Sequence, residues 1–281
     1  MSPQTPKQPP EQPTLEQLIR LPMVFKVPGI ERVDQRADLV YRRVGDEELE
    51  MDVYAPPGLR PGETRPAVIF VHGGPTPRTM PLPPKEWGVF VGYGRSAAMA
   101  GLAGVTFNHR FFAVEDLADA ESDVMALVDH VRENAAELGI DGQRLGLWVF
   151  SGGGPFLAEF LRHPRPYVRA LVAFYALLDL RPLLAMVGGA ADEATSSRLS
   201  PVLALEAASG EVPPMFIGRA GLDNPGVNGT IDQFAGLALK KNLQLTVANH
   251  ARGHHGFDAR DDDARSREII RQAFDFLNTH L

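Results

Sequence analysis

Near-continuous runs of β-branched and aromatic residues recur along this chain, and they limit its fold more than any other feature. "AVIFVHGG" ends at Gly74, "GVTFNHR" at Arg110 and "RLGLWVF" at Phe150. Runs without polar alternation suit strands buried on both faces of a parallel sheet. Further strand-like runs are "DLVYRRV", "LEMDVYAP", "RALVAFYAL", "PPMFIGRA" and "LQLTVANH". Helical patterns lie between them. The clearest spans Asp116 to Leu138, with Leu117, Val124, Leu127, Val128 and Val131 on one stripe. "IDQFAGLALKKN" and "SREIIRQAFDFLNTHL" are also helical. This alternation predicts an α/β fold with a mostly parallel, doubly wound central sheet flanked by helices. The first two runs, joined by "GDEE", predict an antiparallel hairpin leading into it. No internal repeat is present.

Two stretches break the alternation. Residues 75–92 are Pro-rich, and residues 180–211 contain the apolar pieces "LLAMVGG" and "PVLALEAA". Both are expected to roof a pocket at the carboxyl edge of the sheet, where open α/β sheets bind ligands, the second as a small cap. Residues 1–13 read as a Pro- and Gln-rich disordered tail. Thr14 and Gln17 then form a T-x-x-Q capping box for a short helix, with Leu15, Leu18 and Ile19 on one face. That face is expected to cover a sheet edge, with partner docking as the alternative. The chain thus divides into a tail and helix (1–26) and one domain (27–281).

Composition narrows the function classes. The 281 residues are 44% hydrophobic, enough for a single large core. A net charge of −7 without a basic run speaks against nucleic acid as a partner. The absence of cysteine rules out disulfides, thiolate metal sites and a Cys nucleophile. No apolar stretch approaches the roughly 18 residues that cross a bilayer, so no membrane association is expected. No secretory leader pattern opens the chain, and a soluble, cytoplasmic protein is expected.

The chemistry centres on "WVFSGGGPF". Ser151 follows a strand directly and precedes three glycines and a helix-compatible segment. A strand–Ser–helix corner presents the hydroxyl at the sheet edge, and the positions two before and two after must be small. Gly153 meets that demand; Val149 does not. Helix N-capping is the plain alternative for Ser151. "FVHGGP" closes an earlier strand, so the N–H groups of Gly74 and Gly152 are candidates for an oxyanion hole. Downstream, Asp223 follows the strand "PPMFIGRA" and His255 follows the last strand, in the order Ser…Asp…His. His254 rivals His255, and Asp179 rivals Asp223.

With "HGG", "FSGGG", "GLD" and "HHGF" in this order, the chain resembles the α/β-hydrolase superfamily, in particular its esterase and dienelactone-hydrolase-like members. The resemblance runs from about residue 38 to the end and departs at Val149 and at the Pro-rich insertion. It implies a serine hydrolase of carboxylic esters that needs no cofactor and takes a small-molecule ester. Ser151, His255 and Asp223 are its expected triad. Trp87, Phe111 and Phe112 are candidates for an apolar substrate pocket. Peptidase and thioesterase chemistry use the same triad.

Other classes compete. Gly92-x-Gly94-x-x-Ala97 has the form of a dinucleotide-binding fingerprint. The next strand, however, ends in Asn108, His109 and Arg110 without the expected carboxylate, leaving NADP as that alternative. A P-loop motif is absent. His250, His254, His255 and Asp258 are a candidate metal cluster, though adjacent histidines project in different directions. His109 is a candidate pocket residue. The departure at Val149 also leaves room for a hydrolase-like protein that binds without catalysing.

Overall fold

The computed structural model describes residues 14–182 and 193–281. The expected tail (1–13) and the centre of the expected cap (183–192) lie outside the described residues. Eight strands form one sheet: β1 (Asp34–Val44), β2 (Glu47–Ala55), β3 (Arg65–Val71), β4 (Ala103–Phe107), β5 (Ile140–Phe150), β6 (Val168–Phe174), β7 (Met215–Ala220) and β8 (Leu245–His250). Their spatial order is β1-β2-β4-β3-β5-β6-β7-β8. β1, β2 and β4 pair antiparallel, and every pair from β4 onward is parallel. The expected hairpin turns through Gly45 and Asp46, with Gly45 at φ 58°.

The unbroken apolar runs are explained by layers on both faces of the sheet. Along β3, β5 and β6, alternate side chains enter opposite cores. Ile69, Val71, Leu147, Val149 and Ala173 face one core, shared with Val124, Leu127, Val128 and Val131 of α3 (Leu117–Glu133). Phe70, Trp148, Phe150, Val172 and Phe174 face the other. There they meet Phe90, Tyr93 and Ala97 of α2 (Gly88–Met99). Ile269, Ile270, Ala273, Phe274 and Leu277 of the C-terminal helix (Ala264–His280) complete that layer. Trp148 lies at its centre, its ring 4.8 Å from both Tyr93 and Phe174.

Two sequence expectations need correction. The helix expected over Asp116–Leu138 is broken at Asn134, which caps α3 before the short α4 (Ala135–Leu138). The loop expected over 75–92 gives way to helix at Gly88, despite a glycine- and aromatic-rich sequence of modest propensity. Burial of Phe90, Tyr93 and Ala97 outweighs local preference. In the expected cap, the described helices are Glu193–Arg198 and Pro201–Ala207. Val202, Ala204 and Leu205 join the main core, and no described residue of 180–211 lines the cavity over the strand ends.

That cavity is walled partly by α1 (Leu15–Arg20). Its capping box forms: the Thr14 N–H donates to Gln17 and the Gln17 N–H to the Thr14 hydroxyl. The face expected to cover a sheet edge brings Leu18 and Ile19 to this cavity.

Candidate active site

β5 delivers Ser151 to the carboxyl edge of the sheet, where a tight turn (Ser151–Phe156) leads into α5 (Leu157–Arg162). Ser151 has φ 50°, a left-handed conformation that a non-glycine residue adopts only under constraint from its surroundings. The constraint comes from backbone packing. A Cβ on Gly152 would clash with the Gly74 carbonyl, and one on Gly154 with the Leu177 carbonyl. A Cβ on Gly153 would lie 2.7 Å from the His72 carbonyl. The Leu177 N–H also donates to the Ser151 carbonyl at 2.9 Å. Three consecutive glycines are thus required by the approach of two neighbouring loops.

Val149, the departure from G-x-S-x-G, points away from this turn. Its register neighbours are Val71 on β3 and Ala173 on β6, and it is fully buried in the α3-side core. The isopropyl group has room because Ala173 beside it is small.

The Ser151 hydroxyl lies 2.7 Å from His255 Nε2, and His255 Nδ1 lies 2.7 Å from an Asp223 carboxylate oxygen. The Asn224 N–H donates to the other Asp223 oxygen at 2.6 Å. Asp223 is nearly buried, whereas the His255 side chain is 39% exposed. Backbone bonds from Gly221 N–H to the His250 carbonyl and from Leu222 N–H to the Gly253 carbonyl tie the two loops together. With its Nδ1–H given to Asp223, the imidazole presents a lone pair at Nε2 to the serine proton.

The rivals lie elsewhere. His254 turns outward, its Nδ1 2.9 Å from Asp261. Asp179 is held by the Arg181 guanidinium at 2.6 and 3.0 Å.

Gly73 and Gly74 run beside the serine turn; a Cβ on Gly73 would sit 2.8 Å from Ser151 Cβ. The Gly74 N–H has no partner among the described residues, and the Gly152 N–H lies in the first turn, where amides lack intrahelical acceptors. His72 Nδ1–H donates to the Gly73 carbonyl at 2.7 Å. His72 stacks on His109 with ring centroids 3.6 Å apart. Burial lowers the pKa of both rings, that of His109 to about 4, and the proximity of the two rings lowers His72 further. His109 thus lies behind the glycine loop rather than in the cavity over Ser151, which corrects its reading as a pocket residue.

A cavity of about 290 Å³ opens over Ser151 and His255. Trp87 lines it. Phe111 does not: its ring is buried where a Gly74 side chain would otherwise point, edge-on to Phe156. Phe112 stacks under the Arg78 guanidinium, 3.7 Å from its ring centroid, at a separate depression. Sequence reading missed Tyr175 and placed Asp258 only in the metal alternative. Both Asp258 oxygens are taken by tyrosine hydroxyls, Tyr93 at 2.7 Å and Tyr175 at 2.8 Å. Burial raises the Asp258 pKa, opposed by the two hydroxyl bonds. The Tyr175 ring lies 4.7 Å from the His255 ring. Neither signal was legible, because the three residues are far apart in the chain.

The competing readings fail on geometry. Gly92 and Gly94 lie inside α2, not at a strand-to-helix turn, so their N–H groups are committed to the helix ladder. Gly94 is required by packing: a Cβ there would strike the Tyr54 ring, and one on Gly104 would lie 2.5 Å from the Gly94 carbonyl. The four residues of the metal alternative disperse, His250 to Ser266, His254 to Asp261, His255 to Asp223 and Asp258 to the tyrosines. No metal-binding group occurs among the described residues.

The BD-FAE family model matches residues 51–163. No curated protein matches the chain. Among solved structures, the thermophilic esterase 2 of the planctomycete Thermogutta terrifontis in its propionate-bound form is similar at 22% identity and TM-score 0.71, covering 90% of this chain and 96% of that one. Its butyrate-bound form gives 22% identity and TM-score 0.70, covering 90% and 95%. The same enzyme phosphoramylated by tabun gives 23% identity and TM-score 0.72, covering 90% and 96%. Strand order, the corner after β5 and these likenesses together show that the chain has the α/β-hydrolase fold, and its residues 51–163 match the BD-FAE family model.

Proposed function

We propose that the protein is a serine hydrolase of carboxylic esters with a small apolar arm. The observation that carries this reading is the continuous path from Ser151 to His255 to Asp223, 2.7 Å at each step, opening into an apolar cavity. Ser151 attacks the ester carbonyl while His255 Nε2 takes its proton. The tetrahedral oxyanion is held by the N–H groups of Gly74 and Gly152, at the positive end of the turn after Ser151. His255 returns the proton to the departing alkoxide, which leaves as an alcohol. Water, deprotonated by the same imidazole, then releases the acyl group. No step calls for a cofactor. The cavity volume lies at the small end of ligand sites, which favours a short ester over a peptide chain.

The fold is shared with an esterase described as phosphorylated by paraoxon, and that suggests the test. Wild type and Ser151→Ala are compared for p-nitrophenyl acetate and butyrate turnover, with mass spectrometry after paraoxon treatment. The expected result is turnover by wild type, a single adduct on Ser151, and loss of both in the variant. A wild-type protein that neither turns over an ester nor is labelled at Ser151 overturns the reading.

A further inference from the structure

The cavity has an unexpected wall. Leu18 and Ile19 of α1 line it beside Trp87, Val89 and Phe90, in the same space as Ser151 and His255. Ile19 is 2% exposed. The charged residues of this helix turn outward, Glu16 and Arg20 pairing with each other at 3.7 Å in solvent. A helix of this length is not stable alone in water, so its place depends on what holds it.

The holding surface is built into α2. Gly88 and Gly92 lie one turn apart, and the chain just after α1 rests directly on them. A Cβ on Gly88 would lie 2.6 Å from the Leu21 carbonyl, and one on Gly92 would lie 2.8 Å from Met23 Cβ. Further along, the Val24 N–H donates to the Asp258 carbonyl at 2.8 Å. Met23 and Val24 are buried in the aromatic core, and the Phe25 ring stacks on Phe274. The glycine that looked like part of a nucleotide fingerprint therefore seats the N-terminal segment. The Asp258 anchor is on the short helix (Phe257–Arg260) that directly follows His255 and Gly256.

We propose that the N-terminal segment gauges substrate length: Leu18 and Ile19, held in place by Gly88, Gly92 and Asp258, set how long an uncharged apolar arm of the ester fits over Ser151. The inference rests on the esterase reading and deepens it. Apolar side chains that meet an alkyl arm discriminate by about 10- to 200-fold per methylene, so two such residues suffice to set a preference.

The test is the kcat/KM profile of wild type, Leu18→Ala, Ile19→Ala and Leu18→Phe. It uses p-nitrophenyl esters from acetate to decanoate, and acetates of alcohols of increasing length. Leu18 is only half-buried, so its variants keep the test open where Ile19→Ala destabilises the fold. Either alanine variant should raise the octyl-to-ethyl ratio at least about tenfold in one of the two series, and Leu18→Phe should lower it. Ratios that stay at the wild-type value in both series for every variant overturn the inference while leaving the esterase reading intact. Absence of any ester turnover by wild type overturns both.

Discussion

Asp223 and Asp179 show what a few ångströms decide at the scale of single residues. Each carboxylate follows a parallel strand, and each is nearly buried. One accepts from His255 and the other from Arg181. Asp223→Asn should therefore lower kcat for p-nitrophenyl acetate by about 10⁴-fold, because an amide in that place no longer holds the imidazole in the productive tautomer. Asp179→Asn should leave kcat within about tenfold of wild type and act on stability, since it breaks a partly buried ion pair. Steady-state kinetics on the two variants checks this; equal losses would remove the assignment. At Val149 a side chain stands where the familiar elbow has glycine. The larger group is tolerated because it enters the core between Val71 and Ala173, while the corner obtains its tight approach from Gly152, Gly153 and Gly154.

At the scale of elements, α2 is where sequence pattern and structural role part most clearly. Its glycines have the spacing of a phosphate-binding turn, yet they serve close packing on two sides. Gly88 and Gly92 admit the N-terminal segment, and Gly94 admits Tyr54 of β2 and the backbone of β4 at Gly104. Gly94→Ala should therefore destabilise the fold by about 1–3 kcal/mol through overpacking, with the offset that alanine favours helix. Urea denaturation measures this directly. NADP should leave the midpoint of wild type unmoved, and a shift to higher urea with added NADP would revive the nucleotide reading.

At the scale of the whole molecule, buried ionisable groups make stability depend on pH in opposing directions. His109 and His72 are held neutral by burial, His109 with a pKa near 4. Between its ordinary value of 6.5 and about 4, the unfolded chain binds a proton that the folded chain refuses. Stability is then full above pH 6.5 and is lost as pH falls through this window, by on the order of 3 kcal/mol for His109. Asp258 acts oppositely. Its pKa is raised, so the folded chain keeps a proton that the unfolded chain gives up, and its effect is to lose stability as pH rises above the ordinary carboxylate range. Urea midpoints at pH 7.5 and 5.0 should show lower stability at the acid value, with a shallower fall in His109→Gln and a steeper one in Asp258→Asn. A wild-type midpoint unchanged between the two would contradict the burial of uncharged histidines. The sequence by itself determined a mostly parallel sheet and the chain order of the motifs at its strand ends. Strand burial is written in local apolar runs, and every parallel strand must deliver its end to one edge. Tertiary structure alone decided what surrounds Ser151. That α1 supplies part of the apolar wall, that Phe111 and Phe112 stay outside, and that Asp258 joins Tyr93 and Tyr175 depend on contacts between distant segments. Those contacts leave no periodic signal in the chain, because each is fixed by the shape of the packed whole.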